Sequence, residues 1–322
     1  MSNRRGRSVE VVRTSIPGAS ASYSAESAGE VVTALTQLGF DAEATVVNDQ
    51  MDLRALLDRG PDLVWNGFAG NPIVPSFTGL LTDRGQRFVG SGRNAMWLSH
   101  RKDEAKSVVR QAGLPTAAWF RACPGDVQRE ADLPVDLPLF VKPHNGGGGG
   151  GIDSGSLVRR WQDFEARVAT TSGAGAPAAL VEAYLPGREF TVSVLPNESS
   201  TRLEAFAVEL IAEADGGSAR VLGHAAKLAD REVVRRVPDE ETDSTVCKLG
   251  MECFRVLGAR DYGRVDFRMD GEGRLQFLEA NLMPQPTWNS YFARACRLVG
   301  GLGYAEVIGR IARGAWARGV DA

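Results

Sequence analysis

The stretch 263–284, GRVDFRMDGEGRLQFLEANLMP, reads as a β-hairpin with oxygen-bearing side chains on one face. Side chains alternate along a strand, so Arg264, Asp266 and Arg268 share one face while Val265, Phe267 and Met269 take the other. The turn falls on Asp270, Gly271, Glu272 and Gly273, with glycine where a positive φ is needed. A four-residue loop there pairs Met269 with Arg274 and sets Arg264 opposite Glu279, which gathers Asp266, Glu279 and Asn281 on one surface. Diagonal neighbours in such a pair lie roughly 7–8 Å apart, within joint reach of a hydrated cation. Two carboxylates and an amide oxygen are hard ligands of the kind Mg2+ accepts alongside substrate phosphates. Taken alone, the stretch reads equally well as an ordinary polar surface hairpin.

The chain has 322 residues, enough for two or three α/β domains and a large core. Its 43% hydrophobic and 24% charged content is that of an ordinary soluble protein, and a net charge of -3 with no long basic run argues against a nucleic-acid surface. The basic start at 1–7 is followed by no apolar run of signal-peptide length, and no later run approaches a membrane span, so it is read as a solvated tail with no membrane partner. Cys123, Cys247, Cys253 and Cys296 lack any zinc or redox spacing and are expected to be buried thiols in a reducing cytoplasm. The three histidines, His100, His144 and His224, sit in no nucleophile motif, which disfavours histidine catalysis.

Strand and helix patterns alternate from the start: strands at 9–12, 42–47, 62–65 and 88–92, helices at 25–38 and 51–58. That pattern predicts a small parallel sheet over residues 1–97. A second unit, 98–187, opens with a helix predicted over 94–112, then the strand 139–142, a glycine run, a helix over 156–170 and a strand over 179–182. The third, 188–322, holds the hairpin. No internal repeat is present.

Six glycines at 146–151 follow a strand ending in Lys142 and Pro143. Without Cβ atoms the backbone amides can approach a phosphate closely, and the lysine supplies a point charge. A bare glycine run is more often a linker, and this one fits neither GxxxxGK[ST] nor GxGxxG. Downstream, Glu182 and Glu189 flank LPG at a strand connection, suited to an adenine amino group and ribose hydroxyls or to solvated surface. Lys102 opens a helix, where lysine is usually solvated.

In order, these elements (a helix lysine, VKP before a glycine loop, VE..LPG.EFTV, a loop lysine and RVDF…LEAN) resemble the ATP-grasp ligases, and within them the D-alanine:D-alanine ligase branch. The resemblance runs from about residue 90 onward. It implies an α/β (α+β) ATP-grasp fold of three domains, with a small N-terminal parallel α/β domain and nucleotide bound between the central and C-terminal domains. It further implies that Lys102, Lys142 and the loop of Gly147, Gly148 and Gly149 meet ATP phosphates, that Glu182 and the backbone near Leu185 bind adenine, and that Glu189 holds the ribose. Lys227 would approach the γ-phosphate from a lid over 213–237. Asp266, Glu279 and Asn281 would hold two Mg2+ ions, with Mn2+ able to substitute. Arg264 would stabilise the tetrahedral intermediate, and Gln285 and Ser290 would meet substrate. Dimers are common in that branch, so a homodimer acting on small-molecule carboxylate and amine substrates is expected.

The chain also departs from the branch. A glutamate, a serine and a tyrosine that link the first D-alanine to the lid align with Ala21, Gly148 and Leu228, and a nearby histidine with Phe68. Gln285 replaces a glycine. Nucleotide and metal positions are kept while first-substrate contacts are not, which predicts an ATP-dependent ligase that joins a different carboxylate to an amine in a specialised small-molecule pathway. The alternatives are the cell-wall D-alanine:D-alanine ligase itself and an ATP-grasp phosphotransferase, for which His144 is the one histidine near the glycine loop.

Overall fold

The computed structural model describes residues 7–15, 23–67, 74–146, 149–173, 178–198, 202–212 and 232–320. Among these, the chain begins with β1 (Ser8–Arg13), α1 (Ala25–Gln37), β2 (Asp41–Val46), α2 (Gln50–Asp58), β3 (Leu63–Asn66), α3 (Val74–Asp83) and β4 (Phe88–Val89). The strands make a parallel sheet in the order β2-β1-β3-β4, as the strand–helix alternation requires. Side-chain caps start the helices: Ser24 accepts from the Ser27 amide and Asp49 from those of Met51 and Asp52. Helix α3 has no counterpart in the sequence reading. Gly79 in its middle weakens the local signal, and it is the burial of Phe77 and Leu81, four residues apart, that anchors it.

The helix predicted over 94–112 is two helices, α4 (Arg93–His100) and α5 (Lys102–Gln111). The break lies at Arg101, which forms an antiparallel bridge with Asn145. The Lys102 amide donates to the His144 carbonyl at 3.0 Å and the Gly146 amide to that of His100 at 3.2 Å, so tertiary pairing with the start of the glycine run outweighs helical continuity.

A second, antiparallel sheet joins β5 (Trp119–Ala122), β6 (Leu139–Pro143), β7 (Leu157–Val158) and β8 (Ala179–Ala183) in the order β5-β8-β6-β7. Helix α6 (Trp161–Gly173) closes its core through Phe164 and Val168 on Leu139, Val141 and Val181. The expected helix at 156–170 therefore starts late: Leu157 and Val158 are strand, since β7 pairs with β6 and buries Val158. The third sheet, order β11-β10-β9-β12-β13, comprises β9 (Glu189–Pro196), β10 (Leu203–Ile211), β11 (Val233–Arg236), β12 (Gly263–Met269) and β13 (Leu275–Asn281). Helices α7 (Glu240–Val256), α8 (Tyr291–Leu298) and α9 (Tyr304–Arg318) complete the chain. One apolar core runs from Val11 and Trp65 of the first sheet to Phe267 and Phe277 of the third and Phe292 of α8, so the hairpin is seated on a packed base.

The hairpin register differs from the expectation. Met269 faces Leu275, Asp266 faces Glu279 and Arg264 faces Asn281, with a bulge where Asp266 gives way to Phe267. The loop has one residue more than predicted, because the Asp270 carboxylate accepts from the amides of Glu272 and Arg274 and folds the turn around itself. The bulge absorbs a second residue, Leu278, so Phe277 stays in the core and Glu279 still turns to the outer face. Two one-residue shifts restore the parity of alternation, and the acidic face survives.

The start of β12 is tied to the first sheet by Asp261, which is buried at φ +61. Its carboxylate accepts from the Gly90 amide at 2.7 Å and from Arg318 at 2.9 and 3.0 Å, and Arg318 also donates to the Phe88 carbonyl. Asp261→Ala leaves a partly buried guanidinium and an amide without this partner. We expect a loss of about 3 kcal/mol in urea unfolding; a change under about 0.5 kcal/mol, the range of an ordinary surface substitution, would show that the tie is not structural. Among the described residues no helix is long and apolar enough to cross a membrane. All four cysteines are free thiols. Cys253 and Cys296 are buried as expected, whereas Cys123 and Cys247 are only partly so.

Candidate active site

Between the second and third sheets lies a cleft whose walls include Lys142, Glu182, Leu185, Glu189, Asp266 and Glu279, six of the residues singled out from the sequence. Strand β6 delivers Lys142 and its neighbour β8 delivers Glu182, across which the Lys142 ammonium sits 2.8 Å from Glu182 Oε1. Both are almost fully buried. Burial works against the Lys142 ammonium, but Glu182 and Glu279 outweigh it and raise its pKa. Burial likewise opposes the Glu182 carboxylate, and here Lys106 and Lys142 prevail and hold it below its ordinary value.

On the opposite wall, Asp266 and Glu279 are directly paired across the hairpin. Lys102, at the start of α5, lies 3.5 Å from Glu279 Oε2 and donates to the Gly146 carbonyl at 2.7 Å. Burial lowers its pKa, with Glu279 pulling the other way. Arg264 grips Asp266 with two parallel hydrogen bonds of 2.9 Å, and its guanidinium lies 5.5 Å from the centre of the Tyr291 ring. Asp266 also accepts from the Thr191 hydroxyl. Burial opposes the Arg264 charge and Asp266 outweighs it, so the guanidinium is held more firmly protonated than usual. Glu189 pairs with Arg268 at 3.1 Å, and Arg268 in turn covers the Tyr184 ring.

The remaining predicted residues are placed as follows. Asn281 faces Arg264 across the strands, and its Oδ1 accepts from the Met283 amide at 3.3 Å. Gln285 is half-buried in the connection between β13 and α8. Ser290 is the N-cap of α8, its Oγ accepting from the Ala293 amide. Gly149 has φ +77. Two positions along, Gly151 has φ +72, and a Cβ there would stand 2.6 Å from Pro143 Cγ, so the loop turns back onto β6 at a point only glycine permits. Lys227, Gly147 and Gly148, residues 213–231 of the expected lid, and Ala21, Phe68 and Leu228 lie outside the described residues. His144 is buried with Nδ1 2.7 Å from the Ala178 carbonyl oxygen, which disfavours it as a phosphoacceptor.

Asp266, Glu279 and Asn281 present hard oxygens on one face, a donor set that suits Mg2+ completed by phosphate and water. Among the described residues no three His, Cys, Asp or Glu side chains converge to hold a metal by themselves. Sequence reasoning missed Lys106, Thr191 and Arg268. Lys106 could have been found, since it follows Lys102 by four residues and so shares its helix face. Arg268 was placed on the correct face without a partner, and Thr191 acts only through the β9–β12 register.

A family model described as "D-ala D-ala ligase C-terminus" matches residues 108–313. Among curated relatives, the D-alanine–D-alanine ligase of Acidiphilium cryptum is 33% identical over 80% of this chain and 82% of its own length. That of Desulforudis audaxviator is 29% identical over 88% and 90%. The Corynebacterium urealyticum enzyme is 33% identical over 74% of this chain, and the chain spans 65% of that relative's length. Among solved structures, D-alanine–D-alanine ligase from Bacillus anthracis complexed with ATP superposes with a TM-score of 0.77 at 18% identity, covering 97% of this chain and 98% of that one. The fold is thus the ATP-grasp fold that the motifs implied.

Proposed function

The chain belongs to the D-alanine–D-alanine ligase family of ATP-dependent carbon–nitrogen ligases, and on that premise we propose that it joins two small amino acids, D-alanine with D-alanine in the first instance. The observation that carries this reading is the common face of Arg264, Asp266 and Glu279 set beside the buried ammonium groups of Lys102 and Lys142. In the reaction, the carboxylate of the first amino acid attacks the γ-phosphorus and ADP leaves. The amine of the second then displaces phosphate from the acylphosphate, losing a proton as the amide forms. Neither step needs a protein nucleophile, and what the first demands is positioned positive charge.

With ATP between the 98–187 and 188–322 units, Lys142, Lys102 and the glycine loop neutralise phosphate oxygens, Glu182 and the backbone at Leu185 take the adenine, and Glu189 takes the ribose. Asp266, Glu279 and Asn281 would hold Mg2+, which when bound neutralises charge on the transferring phosphoryl group. By the family pattern Lys227 would approach that group from a closing segment that would also keep water from the acylphosphate. Arg264 uses Nε–H and one Nη2–H on Asp266. A guanidinium has five N–H donors, so three remain for the developing oxyanion, beside the backbone amide of Gln285. Ser290 accepts as a helix cap through a lone pair, which leaves its O–H to donate to the second substrate's carboxylate.

A second reading, a different first carboxylate, is favoured by Ala21, Gly148 and Leu228, where the branch carries its glutamate, serine and tyrosine. The curated relatives support the D-alanine reading more directly. Product mass and ADP release with MgATP decide between them. D-alanine alone should yield D-alanyl-D-alanine with one ADP per dipeptide. ADP release and a new amide only with another acid would establish the second reading, and no turnover with any acid–amine pair would remove both.

A further inference from the structure

Lys106, in α5, has no exposed surface at all. Its Nζ lies 3.3 Å from Glu182 Oε2, donates to Thr116 Oγ1 at 2.7 Å and donates to the Phe277 carbonyl at 3.1 Å, so the three hydrogens of the ammonium have three oxygen partners on three different parts of the chain. Burial pushes its pKa down to about 8, against the pull of Glu182. A methionine of similar length would fill this volume without desolvating a charge, so the ammonium calls for a reason beyond packing.

Glu182 divides its two oxygens between Lys142 on Oε1 and Lys106 on Oε2. Under the ATP reading, on which this inference rests, phosphate competes for Lys142, and Lys106 is then the cation that stays with Glu182. An ionised carboxylate can only accept hydrogen bonds. A 6-amino purine offers it a donor, whereas a 6-oxo purine presents an acceptor to a negative oxygen. We infer that Lys106 is a positioning residue for nucleotide selection, holding Glu182 as a fixed acceptor so that the cleft takes 6-amino purine nucleotides and rejects 6-oxo ones. The same ammonium grips the Phe277 carbonyl, directly before the bulged Leu278 and Glu279, which fixes the base-recognising carboxylate and the acidic face of the hairpin in one frame.

The test is calorimetric binding of MgATP and MgITP to the full chain, with no amino acid present, for wild type, Lys106→Met, Lys106→Gln, Lys106→Arg and Glu182→Gln. Wild type should bind ATP more tightly than ITP. Lys106→Met should lower that preference by about tenfold or more, as expected when an acceptor loses the charge that fixes it. Lys106→Gln, whose amide can still donate to Phe277 and Thr116, should do the same, which separates the charge from the packing if the methionine variant unfolds. Lys106→Arg should recover most of the preference. An unchanged ratio in either neutral variant with wild-type melting overturns the inference. Wild type binding both nucleotides equally, or Glu182→Gln leaving the ratio intact, would instead overturn the adenine reading of Glu182. Collapse in Glu182→Gln without collapse in the Lys106 variants defeats the role of Lys106 alone.

Discussion

Glu279→Gln is expected to abolish turnover, lowering kcat by about a thousandfold or more, equivalent to roughly 4 kcal/mol of transition-state stabilisation, while melting and circular dichroism should stay close to wild type. The substitution keeps shape and removes one charge. Glu279 stands directly opposite Asp266, so the variant leaves one carboxylate where the hairpin presents two. Amide oxygens are weaker ligands for a hard cation, so the Mg2+ concentration giving half-maximal rate should rise as well. Lys102 loses the negative charge of its partner at 3.5 Å but keeps the Gly146 carbonyl at 2.7 Å, which is why the glycine loop should stay in place. Steady-state turnover over a Mg2+ titration is the measurement, and near-normal activity would remove Glu279 from the metal set.

Arg264→Met is expected to lower kcat by about 10²–10³-fold, the range found when one donor to a developing oxyanion is removed from a water-shielded site. KM for ATP should change only a few-fold, because the role proposed for this side chain lies in the second step. The competing explanation is indirect, since the substitution would also release Asp266 from its bidentate partner. Arg264→Lys separates the two: a lysine can restore charge beside Asp266 but not a planar fork aimed at both carboxylate and oxyanion. Recovery of Mg2+ dependence without recovery of kcat in that variant supports a direct role. An equal loss in kcat and in Mg2+ affinity, repaired together by lysine, would reduce Arg264 to a support for Asp266.

How the site was legible depends on the range of the interactions involved. Period-two alternation is a local property, and it placed Arg264, Asp266 and Arg268 on one face and Glu279 and Asn281 beside them before any partner strand was known. The register was not legible. The turn's extra residue comes from how the Asp270 carboxylate caps the loop, and the bulge at Leu278 comes from keeping Phe277 in a core built by distant segments. The broken helix at Arg101 has the same origin, since helical periodicity runs unbroken through the sequence while the pairing with Asn145 is tertiary. Lys106 illustrates the limit most directly. Its spacing from Lys102 shows a shared helix face, yet its three partners lie at positions 116, 182 and 277, and a sequence carries no sign that an ammonium there is buried.

By itself, the sequence determined the strand–helix alternation of the first 66 residues, the oxygen-bearing face of the hairpin and, through the order of VKP, the glycine run, LPG.EFTV and LEAN, the family and its use of ATP. These are local patterns and their succession, which the chain carries whether folded or not. Only the tertiary structure decided that Asp266 stands opposite Glu279, that Lys102 and Lys142 are buried against carboxylates, and that Glu182 is shared between two lysines. The reason is physical. Charge pairs in a cleft arise where sheets meet, and the strength and protonation of each group follow from burial and from neighbours far away in the chain.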